Sequence, residues 1–228
     1  MATKKPTRPK SRARAERAVL DVEPRPMMLV GRTALVTGSS KGLGKAMAFA
    51  LGAAGAKVAI NYANNRDTAQ ATLDEFHSRG HEGALFRADV TREKPVQRLC
   101  SEVARRLGPI DILVVNATPD QPQKPIEQYD WAFHQQMLDF FVKSPFLLAR
   151  AVLPGMKQRK FGRIVNIGSE VFRRGVPNFS PYVAAKGAQA GWTRSMATEL
   201  APWNITVNMV SPGWIPVERH EKDPKSLK

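Results

Sequence analysis

Short runs of consecutive apolar residues alternate along this chain with longer segments whose apolar positions recur every three or four residues. The runs at 33–36, 57–61, 84–86, 111–115, 163–167 and 205–210 predict six β-strands. Between them, segments 45–54, 67–79, 93–107, 129–160 and 181–200 predict helices. Gly80 closes the second of these helices and Gly108-Pro109 stops the third. Strands that are apolar at consecutive positions are buried on both faces, which marks a parallel sheet covered by helices. Repeated βα units then give an α/β fold, a doubly wound parallel sheet whose ligands bind at the carboxyl ends of its strands.

Composition narrows the class. At 228 residues and 43% hydrophobic content, the chain makes one globular domain of ordinary size. No apolar run reaches the roughly 18 residues that span a bilayer, so no transmembrane helix and no membrane partner are expected. A single cysteine, Cys100, excludes an internal disulfide framework and suits a reducing, cytoplasmic setting. The four histidines show no ligand spacing, so no metal site is expected. The charge of +15 is uneven. Residues 1–26 carry eight basic residues and four prolines against three acids, and read as a basic disordered arm. A solvated tail, an organelle-targeting segment and a nucleic-acid arm all fit that composition. Base stacking has little support, because aromatics are 7% of the chain and do not interleave with the basic residues. The globular body then covers 27–217, and 218–228 is a polar remnant.

Candidate chemistry clusters in two places. Thr37-Gly38-Ser39-Ser40-Lys41-Gly42-Leu43-Gly44 follows the first strand and opens a helix. Glycines in that context allow a tight turn and let backbone N–H groups approach a pyrophosphate, which predicts dinucleotide binding. In the C-terminal half, Tyr182 and Lys186 stand four apart near the start of a helix and share one face. Ser169 follows strand five, at another carboxyl end. A phenol titrates near pH 10, too high for acid–base work at neutrality, and a neighbouring ammonium lowers it. Tyr182 can then donate a proton to a carbonyl as hydride arrives, while Ser169 hydrogen-bonds the same oxygen.

With these motifs in this order, the chain from about Val30 to Val217 resembles the short-chain dehydrogenase/reductase family, whose sheet is of the Rossmann type. Within the family it is most similar to the β-ketoacyl carrier-protein reductases and related carbonyl reductases. The resemblance implies catalytic Ser169, Tyr182 and Lys186, with Lys186 also binding the nicotinamide ribose. It places Gly38, Ser40, Lys41, Gly42, Leu43 and Gly44 at the cofactor phosphates, and Asp89-Val90 at the adenine. It puts Asn116-Ala117 at the adenine ribose. Pro212-Gly213 would position the nicotinamide, with Ile215 as the backbone partner of its carboxamide. It also implies a homodimer through helices 129–160 and 181–200, acting on a small carbonyl or alcohol substrate.

Three departures bear on that reading. The family's Asn-Asn-Ala-Gly is Val115-Asn116-Ala117-Thr118 here, and Thr118 is expected to crowd a loop that the family keeps open. Phe141 stands where the family has a catalytic Asn that holds a relay water; the nearby polar residues are Gln135, Gln136 and Asp139. The family continues past Pro212-Gly213 into a helix and a seventh strand that do not appear before Lys228, so strand six is expected to be an edge. Cofactor choice follows from charge. No acid stands in 61–66 to hold adenine ribose hydroxyls, whereas Lys41 and Arg66 can meet a 2′-phosphate, so NADP(H) is expected. The leading function is NADPH-dependent carbonyl reduction or the reverse alcohol oxidation. The alternative is a catalytically weakened nucleotide-binding relative. Arg173 and Arg174 fit either an anionic carrier or water.

Overall fold

The computed structural model describes residues 28–217. The basic arm and the polar C-terminal segment expected from the sequence lie outside the described residues. Six parallel strands form one sheet in the order β3-β2-β1-β4-β5-β6: β1 Thr33–Val36, β2 Lys57–Tyr62, β3 Gly83–Arg87, β4 Ile110–Val115, β5 Gly162–Ile167 and β6 Ile205–Val210. The helices are α1 Gly42–Ala53, α2 Arg66–Ser78, α3 Glu93–Leu107, α4 Trp131–Leu138, α5 Ser144–Arg159, α6 Val171–Arg174 and α7 Ser180–Leu200.

Burial of both sheet faces explains the unbroken apolar runs. In β1, Ala34 and Val36 face one core with Val58, Ile60, Phe76 and Ile112. Leu35, between them, faces the other, with Leu113, Val115, Leu148, Met156 and Ile164. A pleated strand sends successive side chains to opposite faces, so a strand between two helical layers needs apolar residues at every position. The strand order reverses direction at the junction of β1 and β4. A doubly wound sheet opens its binding crevice at that junction, beyond the carboxyl ends of the strands.

The structure departs from the sequence reading in three places. The first long helix begins at Gly42 rather than 45, because the glycine turn itself supplies the opening helical residues. The stretch 129–160 is not one helix. Ile126–Gln128 is a 3-10 turn, Asp130 caps α4 by accepting from Phe133 N–H at 2.7 Å, and a π turn, Asp139–Lys143, separates α4 from α5. Ser144 N–H donates to Asp139 O, five residues back. Pro145 follows with no N–H to offer Phe141 O, so the ordinary four-residue ladder cannot pass through this point. Finally, α6 forms in a stretch to which the apolar pattern assigns no element, with Gly175 in the left-handed region at its end (φ 62°).

Candidate active site

Side chains at the β1–β4 junction tie the glycine turn to three strands. The Thr37 hydroxyl donates to Val114 O at 3.3 Å and accepts from the N–H groups of Asn116 and Ala117 at 2.9 and 3.1 Å. Asn116 returns the favour through its amide, which donates to Thr37 O and Gly38 O at 3.0 and 3.1 Å. From β2, Asn61 Oδ1 accepts from Gly38 N–H at 3.1 Å, and its amide nitrogen donates to Phe86 O and Ala88 O at 3.3 and 3.2 Å. Ser39 completes the set: its hydroxyl donates to Val36 O at 2.7 Å and accepts from Asn61 N–H at 3.1 Å. Ser40 is held through its carbonyl, which accepts from the Thr72 hydroxyl of α2 at 2.7 Å.

Two glycines in this turn cannot be replaced without displacing backbone. Gly38 adopts φ 60°, and a Cβ there would stand 2.8 Å from Ala117 Cα. A Cβ on Gly44 would sit 2.5 Å from Asn116 Nδ2 and in hard contact with Gly38 O. The turn delivers the chain to α1, whose N-cap, Lys41, makes no side-chain cap. A helix N-terminus, with its backbone N–H groups and the positive end of its dipole, suits an anion. The turn thus fits the pyrophosphate of a dinucleotide: tight at Gly38 and Gly44, half-buried at Gly42 and Leu43, with Lys41 exposed at its rim.

A cavity of about 800 Å³ opens at the carboxyl ends of β2 and β3, lined by Asn64, Arg87, Asp89, Arg92, Gln136 and Phe140 among others. Asp89 lines this cavity and Val90 beside it is buried, and the Asp89 carboxylate is already engaged. It accepts from Thr91 N–H and hydroxyl at 2.9 and 2.6 Å, and Arg92 stands 3.7 Å away. A smaller cavity of about 300 Å³ lies at the opposite rim, around Cys100, Pro109, Ile110 and Arg159, away from the strand ends that carry the site. Burial pushes the Cys100 thiol up to about 12, which leaves it protonated and unreactive.

The second cluster is built on α7. Tyr182 and Lys186 stand one turn apart, and Lys186 crosses to β5, where its ammonium donates to Ile167 O at 2.5 Å. Ser169, buried, lies two residues beyond that carbonyl, and its hydroxyl accepts from Val171 N–H at 3.4 Å. The bond from Lys186 therefore joins the helix of Tyr182 to the strand end of Ser169. Phe179 and Phe141 pack on the Tyr182 ring with centroids 4.7 and 5.2 Å away. Burial alone lowers the Lys186 ammonium to about 7. Pro212 follows β6, and its carbonyl accepts from Glu170 N–H at 3.1 Å, bringing Gly213 against Glu170, the residue after Ser169, while Ile215 is exposed.

The Asn116 amide is engaged with the glycine turn, where it holds two carbonyls. Thr118 is exposed, its hydroxyl donating to Pro119 O at 3.2 Å and accepting from the Gln121 amide. Sequence reasoning missed Thr37, Ser39 and Asn61 as supports of the turn. Asn61 had a signal, being an amide inside an otherwise apolar strand, where burial demands hydrogen-bond partners.

The pattern of the short chain dehydrogenase family runs through residues 32–227. The chain belongs to that family. It is 38% identical over 195 residues to the 3-oxoacyl-[acyl-carrier-protein] reductase of Synechocystis sp., covering 85% of this chain and 78% of that one. It is 36% identical over 184 residues to the 2-dehydro-3-deoxy-D-gluconate 5-dehydrogenase of Formosa agariphila, covering 81% and 69%. A crystal structure of a metagenomic short-chain oxidoreductase in complex with NADP superposes with a TM-score of 0.77 at 30% identity, over 82% of this chain and 84% of that one. As a short-chain dehydrogenase, the protein is an oxidoreductase of alcohols and carbonyls that uses a nicotinamide cofactor and a small-molecule substrate. No helix among the described residues is long and apolar enough to cross a membrane.

The lowered Lys186 value has a consequence for stability in this dehydrogenase. The folded state holds the amine at about 7, from an ordinary value of 10.5, so in that interval the unfolded chain binds more protons. Stability therefore rises as pH increases through the window and is lowest at and below its acid end. Cys100 acts oppositely above its unperturbed 9.0, so the informative interval ends there. We expect the melting temperature to climb between about pH 7 and pH 9 in the wild type relative to Lys186→Met, measured by differential scanning fluorimetry. Parallel melting curves for the two proteins would show that Lys186 is not held near neutrality.

Proposed function

We propose that the protein reduces a carbonyl with NADPH, or oxidises the corresponding alcohol, using Tyr182, Lys186 and Ser169. The observation that carries this reading is the bond from Lys186 to Ile167 O, which sets the Tyr182 helix against the strand end of Ser169. When bound, the nicotinamide supplies or accepts the hydride. Tyr182 donates its phenolic proton to the carbonyl oxygen of the substrate, or withdraws it from the alcohol in reverse. Ser169 donates a hydrogen bond to that oxygen and orients it. Lys186, charged, favours the Tyr182 phenolate and so brings its proton affinity toward neutrality. The aromatic packing of Phe179 and Phe141 excludes water from one side of the phenol.

The remaining assignments follow the turn and its surroundings. Gly38, Ser40, Gly42, Leu43 and Gly44 hold the cofactor pyrophosphate, Asp89-Val90 and Asn116-Ala117 bound the adenosine half, and Pro212-Gly213 with Ile215 receive the nicotinamide. Lys41 and Arg66, both exposed at this rim, favour NADP(H), and the family relative crystallised with NADP supports the same choice. The globular unit is 27–217. A homodimer through 129–160 and 181–200 is supported by Trp131 and Phe146, which stand 70% and 47% exposed on α4 and α5.

Three measurements test this reading. Tyr182→Phe is expected to keep NADPH binding, followed by cofactor fluorescence, while NADPH oxidation over ketoesters, diketones, quinones and carrier thioesters falls to background; unchanged turnover would refute the assignment. NADPH bound without turnover by the wild type on any of these would leave a nucleotide-binding relative. Wild-type protein should bind NADPH one to two decades more tightly than NADH, since a charge-assisted contact contributes roughly 1.5–3 kcal/mol. Lys41→Glu should erase or invert that preference, and equal wild-type affinities would sink the NADP(H) choice. Phe146→Glu should shift the species seen by size-exclusion with light scattering from dimer to monomer; an unchanged mass would place the interface elsewhere.

A further inference from the structure

Three groups close around the Lys186 ammonium. Ile167 O accepts at 2.5 Å, Gln189 Oε1 accepts at 3.3 Å, and the Phe141 ring centroid lies 3.8 Å from Nζ. All are dry: Lys186, Gln189 and Phe141 are 3%, 1% and 2% exposed. Each comes from a different place in the fold, the carbonyl from β5, the amide from the next turn of α7, and the ring from the π turn.

Neither side chain is there for packing alone. Gln189 is a buried amide on a helix face whose neighbours include Ala185 and Ala190, and a buried amide is costly unless it is hydrogen-bonded. Phe141 reaches the ammonium because the π turn inserts a residue ahead of Pro145, and such turns are found mostly where function requires them. A phenyl face attracts a desolvated cation through its quadrupole.

We propose that Phe141 and Gln189 are positioning residues that keep Lys186 charged beside Tyr182, in place of a polar relay. The inference rests on the reading of Tyr182 and Lys186 given above. Burial works against the ammonium, and the ring face and amide oxygen work for it. Tyr182, on the same helix, has its ring centroid 5.6 Å from Nζ. The elements packed against α7 bring His134 from α4, Asp139 and Lys143 from the π turn, and Arg173 and Arg174 from α6. Asp139 and Lys143 pair with each other at 3.5 Å, Arg174 pairs with Glu170 at 2.6 Å, and Arg173 lies against Phe172. None of these contacts involves Lys186. β6 carries no titratable side chain.

The test reads Lys186 directly and separately from turnover. The Nζ resonance of nitrogen-15 lysine-labelled full-length protein is titrated, with Lys186 assigned by its loss in Lys186→Met. Gln189→Glu places a carboxylate at the ammonium and should raise the midpoint by roughly one to three pH units. Phe141→Leu removes the ring face and should lower it by about one unit, whereas Phe141→Tyr should leave it in place. Gln189→Leu should lower it as well, which keeps the test intact if Phe141→Leu does not fold. The alkaline limb of kcat for NADPH oxidation should move in the same directions. Midpoints unchanged in folded Gln189→Glu and Gln189→Leu would overturn the cage, even with turnover intact. Midpoints that move as expected in a protein that reduces no carbonyl would uphold the cage and remove the catalytic reading.

Discussion

Six parallel strands ending on one rim leave a row of backbone groups that no helix can satisfy, and four polar side chains meet that demand. Thr37, Ser39, Asn61 and Asn116 bind the carbonyls and N–H groups at the ends of β1, β2, β3 and β4. Buried backbone groups left unpaired are costly, so this lattice is a condition of folding before it is a feature of a binding site. It also fixes the glycine turn in space. The turn approaches Ala117 and Asn116 so closely that only glycine serves at 38 and 44, and preorganisation of the cofactor cradle follows from the same contacts that close the sheet.

The distant cluster obeys the same logic with charge in place of amides. Lys186 is nearly free of solvent, yet it has found a carbonyl, an amide oxygen and an aromatic face. A buried cation so arranged crosslinks β5 to α7 and thereby couples the position of Ser169 to that of Tyr182. Asp111, at the opposite rim, shows the mirror case: a buried carboxylate accepting from Thr33 N–H at 3.3 Å, with Arg159 at 3.4 Å. Charge buried at both ends of the sheet has, each time, at least one partner from a different element.

Strand positions and the parallel sheet were legible because burial on two faces leaves an unmistakable run of apolar residues, as in Leu113, Val114 and Val115. The glycine turn and the Tyr182, Lys186 and Ser169 set were legible for a related reason: each depends on spacing along one or two elements. What stayed hidden depends on contacts across elements. The hold of the Asn116 amide on Thr37 O and Gly38 O could not be read from its place in the motif. The interruption at 139–143 was invisible to periodicity, because residues 129–160 remain helix-forming throughout and only the missing N–H of Pro145 interrupts the ladder. Phe141 stood out as a departure, and its partner Gln189 did not, since a single buried amide in a helix has no pattern to announce it.

The interruption also changes the phase of the polypeptide. An ordinary helix advances about 100° per residue, so one extra residue in a turn rotates everything downstream by that amount relative to everything upstream. Leu147, Leu148 and Val152 on α5 face the sheet core, while Met137 on α4 and Phe141 in the turn face a separate small core with Ala185. One continuous rod could not have offered its apolar side in both directions. The chain thus uses a slip in register to serve two interiors, and a deletion within 139–143 would set them in conflict even though every helix-forming residue outside the turn remained.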